Sequence, residues 1–230
     1  MIRCSGGHFL EKSHAQKMAD HEYSILDHDR GRIFQYIGTV ITAAAALYTS
    51  HLGLITDLVN HFYPSLDSGI PKTLDAAIAF AVLYWIFNHW FWRNWLCRKL
   101  FKFHDISGDW KVEATTLGPA ENLAPEGKPR PWTANIKINQ QWTKIGVRLQ
   151  TTSSESFSKS AALQDIDGRA LLMYSYANTP SVRSRATDGL ESHYGYCELK
   201  FSDDGKSAEG FYFNNMGRVT HGEMRLTKVE

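Results

Sequence analysis

The chain lacks an excess of either charge: 25 Lys and Arg face 24 Asp and Glu, a formal net charge of +1 over 230 residues. That balance gives no electrostatic footprint for a nucleic-acid polymer, neither DNA nor RNA. Cysteine is scarce too. Cys4, Cys97 and Cys197 are too few and too scattered for a disulfide framework or a zinc site, and they suit a reducing compartment. No Gly-x-Ser-x-Gly elbow, phosphate-cradling glycine loop, His-Glu-x-x-His or cysteine pair occurs. The expectation is therefore no enzyme, with no catalytic residue, metal or cofactor. Asp165 and Asp167 form a close acidic pair, but Gly168 directly after them marks a plain hairpin turn.

What the chain has falls into two unlike halves. From Ile33 to Thr56 there are 24 consecutive residues without Asp, Glu, Lys or Arg. At 1.5 Å rise per residue this exceeds the roughly 30 Å hydrocarbon core of a bilayer. A second uncharged run, Ala76 to Trp92, is 17 residues long, with Leu74 before it and Trp85, Trp90, Trp92 and Trp95 as interfacial aromatics. Pro64, Gly69 and Pro71 break the chain between the runs. The reading is two N-terminal transmembrane α-helices within residues 32–103. Arg30, Arg32, Arg93, Arg98, Lys99 and Lys102 flank their outer ends, so the positive-inside rule places both termini in the cytoplasm. Gly38, Thr42 and Ala46 recur every four residues, a stripe of small side chains suited to transmembrane helix contact, with Trp85 and Trp92 as an alternative face. Residues 1–31 read as a mobile cytoplasmic arm. Its His14, His21 and His28 are spaced by seven, too far apart on a helix to share a metal ion, and His8 stands apart.

From residue 104 to 230 the period changes to two. Trp110, Val112 and Ala114 alternate with Lys111, Glu113 and Thr115, and Ile145, Val147 and Leu149 with Lys144, Arg148 and Gln150. Later strands fall near 155–164, 169–178, 190–201, 207–214 and 219–229, giving eight in all. An all-β domain, an eight-stranded up-and-down antiparallel β-barrel, is the expected architecture, with a two-sheet sandwich as its competitor. The long loops at 117–131 and 179–189 would gather round one mouth. Tyr174, Tyr176 and Asn178 share one register, as do His193, Gly195 and Cys197, then Gly210, Tyr212 and Asn214, then Thr220, Gly222 and Met224. That inward set is more polar than a packed core needs. It offers stacking faces, amides and hydroxyls of the kind a nucleotide uses, though tyrosines also fill cores with their hydroxyls at the rim.

Order carries a resemblance that no single motif does. Two spans precede Gly108-Asp109-Trp110, then Leu172-x-Tyr174-x-Tyr176-x-Asn178-x-Pro180, His193-x-Gly195, Gly210-x-Tyr212 and Gly222-x-Met224-x-Leu226. Over residues 30–230 the chain resembles the two-transmembrane, β-barrel effectors of bacterial CBASS anti-phage systems, the CD-NTase-associated membrane-disrupting proteins. The resemblance implies a multi-pass protein of the bacterial inner membrane whose cytoplasmic barrel binds a cyclic oligonucleotide second messenger from a partner CD-NTase. It further implies self-association through the transmembrane helices, contact with membrane lipid, loss of membrane integrity and abortive infection. Tyr176, His193, Tyr212, Arg218 and Thr220 are the candidate cyclic-nucleotide contacts, chosen by chemistry and strand position. Gly108-x-Trp110 is also similar to lipocalins and avidins, which implies the alternative of a membrane-tethered barrel for an apolar ligand, or a structural adaptor.

Overall fold

The computed structural model describes residues 19–26, 30–51, 54–64, 72–97, 103–118, 128–216 and 219–230. His8, His14, His28, Gly69, Pro71, Arg98, Lys99, Lys102, Arg218 and most of the 117–131 loop lie outside the described residues. Nine strands close into one ring. In chain order they are β1 (His21–Ile25), β2 (Gly108–Gly118), β3 (Arg130–Gln140), β4 (Lys144–Gln150), β5 (Ser154–Ile166), β6 (Arg169–Pro180), β7 (His193–Phe201), β8 (Ser207–Asn215) and β9 (Thr220–Lys228). Round the ring they run β1-β4-β3-β2-β9-β8-β7-β6-β5. Asp167 and Gly168, both at positive φ (54° and 83°), turn β5 into β6, the backbone that a two-residue hairpin between right-twisted strands requires.

Strands β2 to β9 pair antiparallel with their neighbours in sequence, and β9 returns to β2. The β4–β5 pairing is the short one. The two strands pair at Arg148–Gln150 against Glu155–Phe157, and β5 then carries an irregularity between Ser158 and Ser160. β1 occupies the resulting gap, antiparallel to β4 and parallel to β5. Its Tyr23 and Ile25 are buried. The eight-stranded, purely up-and-down barrel is thus corrected to a nine-stranded ring with one parallel pairing. The extra strand comes from the segment expected to be a mobile arm, where Tyr23 and Ile25 alternate with Glu22 and Ser24 as a short half-buried strand should.

The pair of transmembrane helices is corrected as well. The apolar N-terminal half forms α1 (Arg30–His51), α2 (Leu54–Phe62) and α3 (Lys72–His89), and among the described residues no helix is long and apolar enough to cross a membrane. The same finding overturns the placement as a multi-pass inner-membrane protein. The physical reason is that uncharged is not the same as apolar. α1 carries Gln35, Thr39 and Thr42 among its aliphatic residues, and the Thr39 hydroxyl turns back to the Gln35 carbonyl at 2.8 Å. The 18 residues of α3 include Lys72 and Asp75 and end on Asn88 and His89. That end packs on the ring. Asn88 accepts from the backbone N–H and hydroxyl of Thr143 (3.3 and 3.1 Å) and donates to the Gln141 side chain (3.4 Å), while Phe87 meets Trp142 edge-on at 5.0 Å.

α1 packs on α3; Ile41 and Ala45 of α1 and Phe87 of α3 are buried, and Ile37, Leu83 and Tyr84 are partly so. Gly38, Thr42 and Ala46 lie one residue further round, where Thr42 and Ala46 are exposed. Trp85 and Trp92 do not share a face. Trp85 is half-exposed on α3, whereas Trp92, in a 3-10 turn at Phe91–Arg93, is fully buried.

Three of the ring strands become more polar in one direction. Inward positions of β2 run Trp110, Val112, Ala114, Thr116; those of β6 run Leu172, Tyr174, Tyr176, Asn178; those of β9, read backwards, run Leu226, Met224, Gly222, Thr220. At the apolar end Trp110, Ile136, Ile138, Ile145, Leu172, Leu199 and Leu226 are almost fully buried, each contributing about 1.5–3 kcal/mol of transfer free energy. Gln140 ties this end together. Its side chain donates to the Tyr23 hydroxyl (3.3 Å) and the His104 carbonyl (3.0 Å) and accepts from the Ile106 N–H (2.9 Å). Arg93, just past α3, donates to the Gln140 carbonyl at 2.7 Å.

Candidate functional site

The polar end is open. A cavity of about 420 Å³ enters the ring there, towards the lower end of the 300–1,000 Å³ typical of ligand pockets. Its wall comes from β2 to β9, the turn at Thr151–Ser153 and the segment after α4 (Val182–Asp188). A backbone hydrogen bond from Ser181, just before α4, to the Ser153 carbonyl (2.8 Å) ties the start of that helix to the β4–β5 turn.

Two tyrosines owe their place to glycines directly across the ladder. Tyr176 is opposite Gly195 and Tyr212 opposite Gly222. A Cβ on Gly195 would strike the Tyr176 ring and approach the Asn214 side-chain oxygen at 2.7 Å; one on Gly222 would strike the Thr115 backbone carbonyl and meet the Tyr212 ring at 2.8 Å. The rings therefore lie down on the wall, and the lumen stays open above them. Their hydroxyls are anchored. Tyr176 donates to the Asn214 carbonyl oxygen, and the Asn214 amide donates to Thr220 at 2.6 Å. The Tyr212 hydroxyl bonds Thr116 at 2.8 Å and accepts from the Trp132 indole at 3.2 Å.

Electrostatically the cavity suits an anion. Arg130 is on its wall, and no Asp or Glu lines it among the described residues. Burial holds the Tyr174 hydroxyl well above its ordinary range and pushes the Cys197 thiol up to about 12. Both remain neutral at physiological pH, so this side of the wall presents no negative charge.

Of the residues singled out in the sequence, Tyr176, His193, Tyr212 and Thr220 all line this one cavity, while Arg218 lies outside the described residues. His193 is buried, with its Nδ1 at 3.3 Å from the Glu191 carbonyl. Sequence reasoning passed over Arg130, Trp132 and Thr116. Arg130 opens β3 at the end of what reads as a capping loop, and its place on the cavity appears only once β3 is paired with β2. Asn178 and Asn214 stood in the inward registers but were not chosen. The chemistry of their amides, among tyrosines and serines, was the available signal.

A closed β ring with one end packed solid and the other opened into an amide- and hydroxyl-lined cavity defines a small-ligand-binding class of domain. Comparison with known proteins gives the family. Residues 101–228 match the model described as "Cap15, cyclic dinucleotide receptor domain". The chain is also 31% identical over 219 residues to CD-NTase-associated protein 15 of Yersinia aleksiciae, an alignment covering 93% of this chain and 99% of that relative. The chain belongs to the Cap15 family of CBASS effectors.

Proposed function

We propose that the protein is a receptor, not a catalyst, and that its cavity binds a cyclic dinucleotide made by a partner CD-NTase during phage infection. One observation supports this above the rest: a ligand-sized cavity with Arg130 and, among the described residues, no carboxylate on its wall, lined by aromatic rings, amides and hydroxyls. Two phosphodiesters need cationic or N–H partners, and bases need flat apolar faces and hydrogen-bonding edges. An apolar-ligand carrier would have a mainly aliphatic lining.

Occupancy is read out by association of effector chains. α1 supports this reading by leaving Tyr36, Val40 and Leu47 exposed on the side away from α3. Ligand drives association only if it binds the associated form more tightly, and a fivefold difference per chain supplies about 1 kcal/mol.

The test is calorimetry of the full chain against a panel of cyclic dinucleotides and a fatty acid, with sedimentation of the same samples. One or more cyclic dinucleotides should bind, and Arg130→Ala should weaken that binding about tenfold, the worth of one charge-assisted contact. Because Arg130 is exposed, its melting temperature should not change. Fatty-acid binding with no cyclic-dinucleotide binding would overturn the receptor reading. Binding without any change in sedimentation would overturn the associative readout alone.

A further inference from the structure

Among the polar side chains around the cavity, one buried acceptor, the Asn178 carbonyl oxygen, has no partner among the described residues. Asn178 lines the cavity and is 6% exposed. Its side-chain nitrogen donates to Ser154 at 3.1 Å and to Ser156 at 2.8 Å, which uses both amide hydrogens. The amide is thereby fixed, and its carbonyl oxygen has no hydrogen-bond partner among the described residues. Buried acceptors are almost always paired, so an orphan on the wall of a ligand cavity marks the place of a ligand donor.

What that donor is follows from charge and position. A phosphate oxygen cannot approach a carbonyl lone pair, and phosphate has Arg130 as its partner on the same cavity. That leaves a ribose hydroxyl or a base as the donor that faces Asn178, and the neighbouring side chain favours the base. Beside Asn178 the inward-facing neighbour on β6 is Tyr176, an aromatic surface of the kind a base stacks on. A base entering with its sugar towards the mouth leads with the substituent furthest from the glycosidic bond. In adenine and cytosine this is an exocyclic amine, a donor; in guanine and uracil it is a keto oxygen, an acceptor. An amine satisfies the Asn178 oxygen. A keto oxygen at that position would leave two buried acceptors facing each other.

We propose that Asn178 is a specificity-determining residue, whose buried carbonyl oxygen selects a cyclic dinucleotide with an amino-bearing base, adenine or cytosine, over its keto counterpart. The inference rests on the cavity being the cyclic-dinucleotide site. Cyclic di-AMP and cyclic di-IMP are near-isosteric and differ at this substituent and at the adjacent ring nitrogen, protonated only in the keto base, so the change in their affinity ratio on substituting Asn178 reads the contact while cancelling most of what else a substitution does. The full-length chain should prefer cyclic di-AMP about tenfold, the worth of one well-made hydrogen bond set against an unpaired acceptor. Asn178→Leu, of similar size but without the acceptor, should bring the ratio to about twofold or less. Asn178→Asp keeps an acceptor and should keep the preference, even as its added charge weakens both ligands.

A ratio that survives in folded Asn178→Leu, or a wild-type preference for cyclic di-IMP, overturns the assignment. So does a chain that binds cyclic di-GMP but neither of the two probes. Should Asn178→Leu fail to fold, the wild-type ratio and its retention by Asn178→Asp decide, and the loss of either sinks the assignment. If no cyclic dinucleotide binds at all, the receptor reading itself fails, a separate result.

Discussion

Gly195→Ala and Gly210→Ala put the same methyl group on the same sheet, and the structure predicts opposite consequences. At Gly195 the new Cβ meets the tip of the Tyr176 side chain and the Asn214 amide, both of which can rotate away. Moving Tyr176 breaks its hydrogen bond to Asn214, worth about 0.5–1.5 kcal/mol, and adds overpacking of about 1 kcal/mol. A total near 2 kcal/mol corresponds to a fall of roughly 4–8 °C in melting temperature for a chain of this size. The displaced ring has nowhere to go but the lumen, so ligand affinity should drop at least about tenfold. At Gly210 the Cβ meets the Glu198 carbonyl and lies 3.0 Å from the Leu199 Cα. β7 is hydrogen-bonded on both sides, to β6 and β8, and its backbone cannot give. Gly210→Ala should therefore cost more than about 3 kcal/mol while sparing the affinity of molecules that remain folded, since Gly210 does not line the cavity. Thermal melts and calorimetry on both variants decide. If Gly195→Ala leaves melting and binding unchanged, or destabilises more than Gly210→Ala, the account of the glycine seats is refuted.

Two further outcomes follow from other parts of the structure. Cys197 titrates in the unfolded chain near the ordinary thiol value of about 8.5 but only near 12 when folded. Between those values the folded state holds a proton that the unfolded state has released, so stability is full below the window and falls as pH rises through it. Urea unfolding from pH 8 to 11 should show that decline, less steep in Cys197→Ala; an equal slope in both would contradict it. Asn88→Ala removes the three side-chain hydrogen bonds that join the end of α3 to the β3–β4 turn. Hydrogen exchange should speed up at Ile86–His89 and Thr143 and be unchanged in β6–β8; protection unaltered at α3 would show that the docking rests on the backbone bond from Trp142 to the Asn88 carbonyl and on Phe87 against Trp142.

The ring strands were legible because each has one buried face. Tyr174, Tyr176 and Asn178, or Gly210, Tyr212 and Asn214, can share a side only as strands, and Asp167-Gly168 is a hairpin turn from its dipeptide alone. β1 was not legible. Five residues in a polar segment are a weak signal, and the gap they fill exists because β5 is irregular at Ser158–Ser160, a feature of pairing rather than of either sequence. The helices misled for a different reason. Counting residues without charge ignored the polar Gln35, and Thr39 and Asn88, whose side chains are hydrogen-bonded within the protein. At the cavity, strand period placed the tyrosines, but no period reveals Arg130 at the first residue of β3, or an Asn178 oxygen left over after two serines have taken its amide hydrogens.

The most direct test of the central claim is a structure of the full chain with the cyclic dinucleotide that calorimetry selects. The account predicts the ligand inside the polar mouth of the ring, a phosphodiester at Arg130, and a base held among Tyr176, Tyr212 and Asn178. A ligand on the outer face of the sheet or against α1 and α3, with the mouth empty, would contradict it.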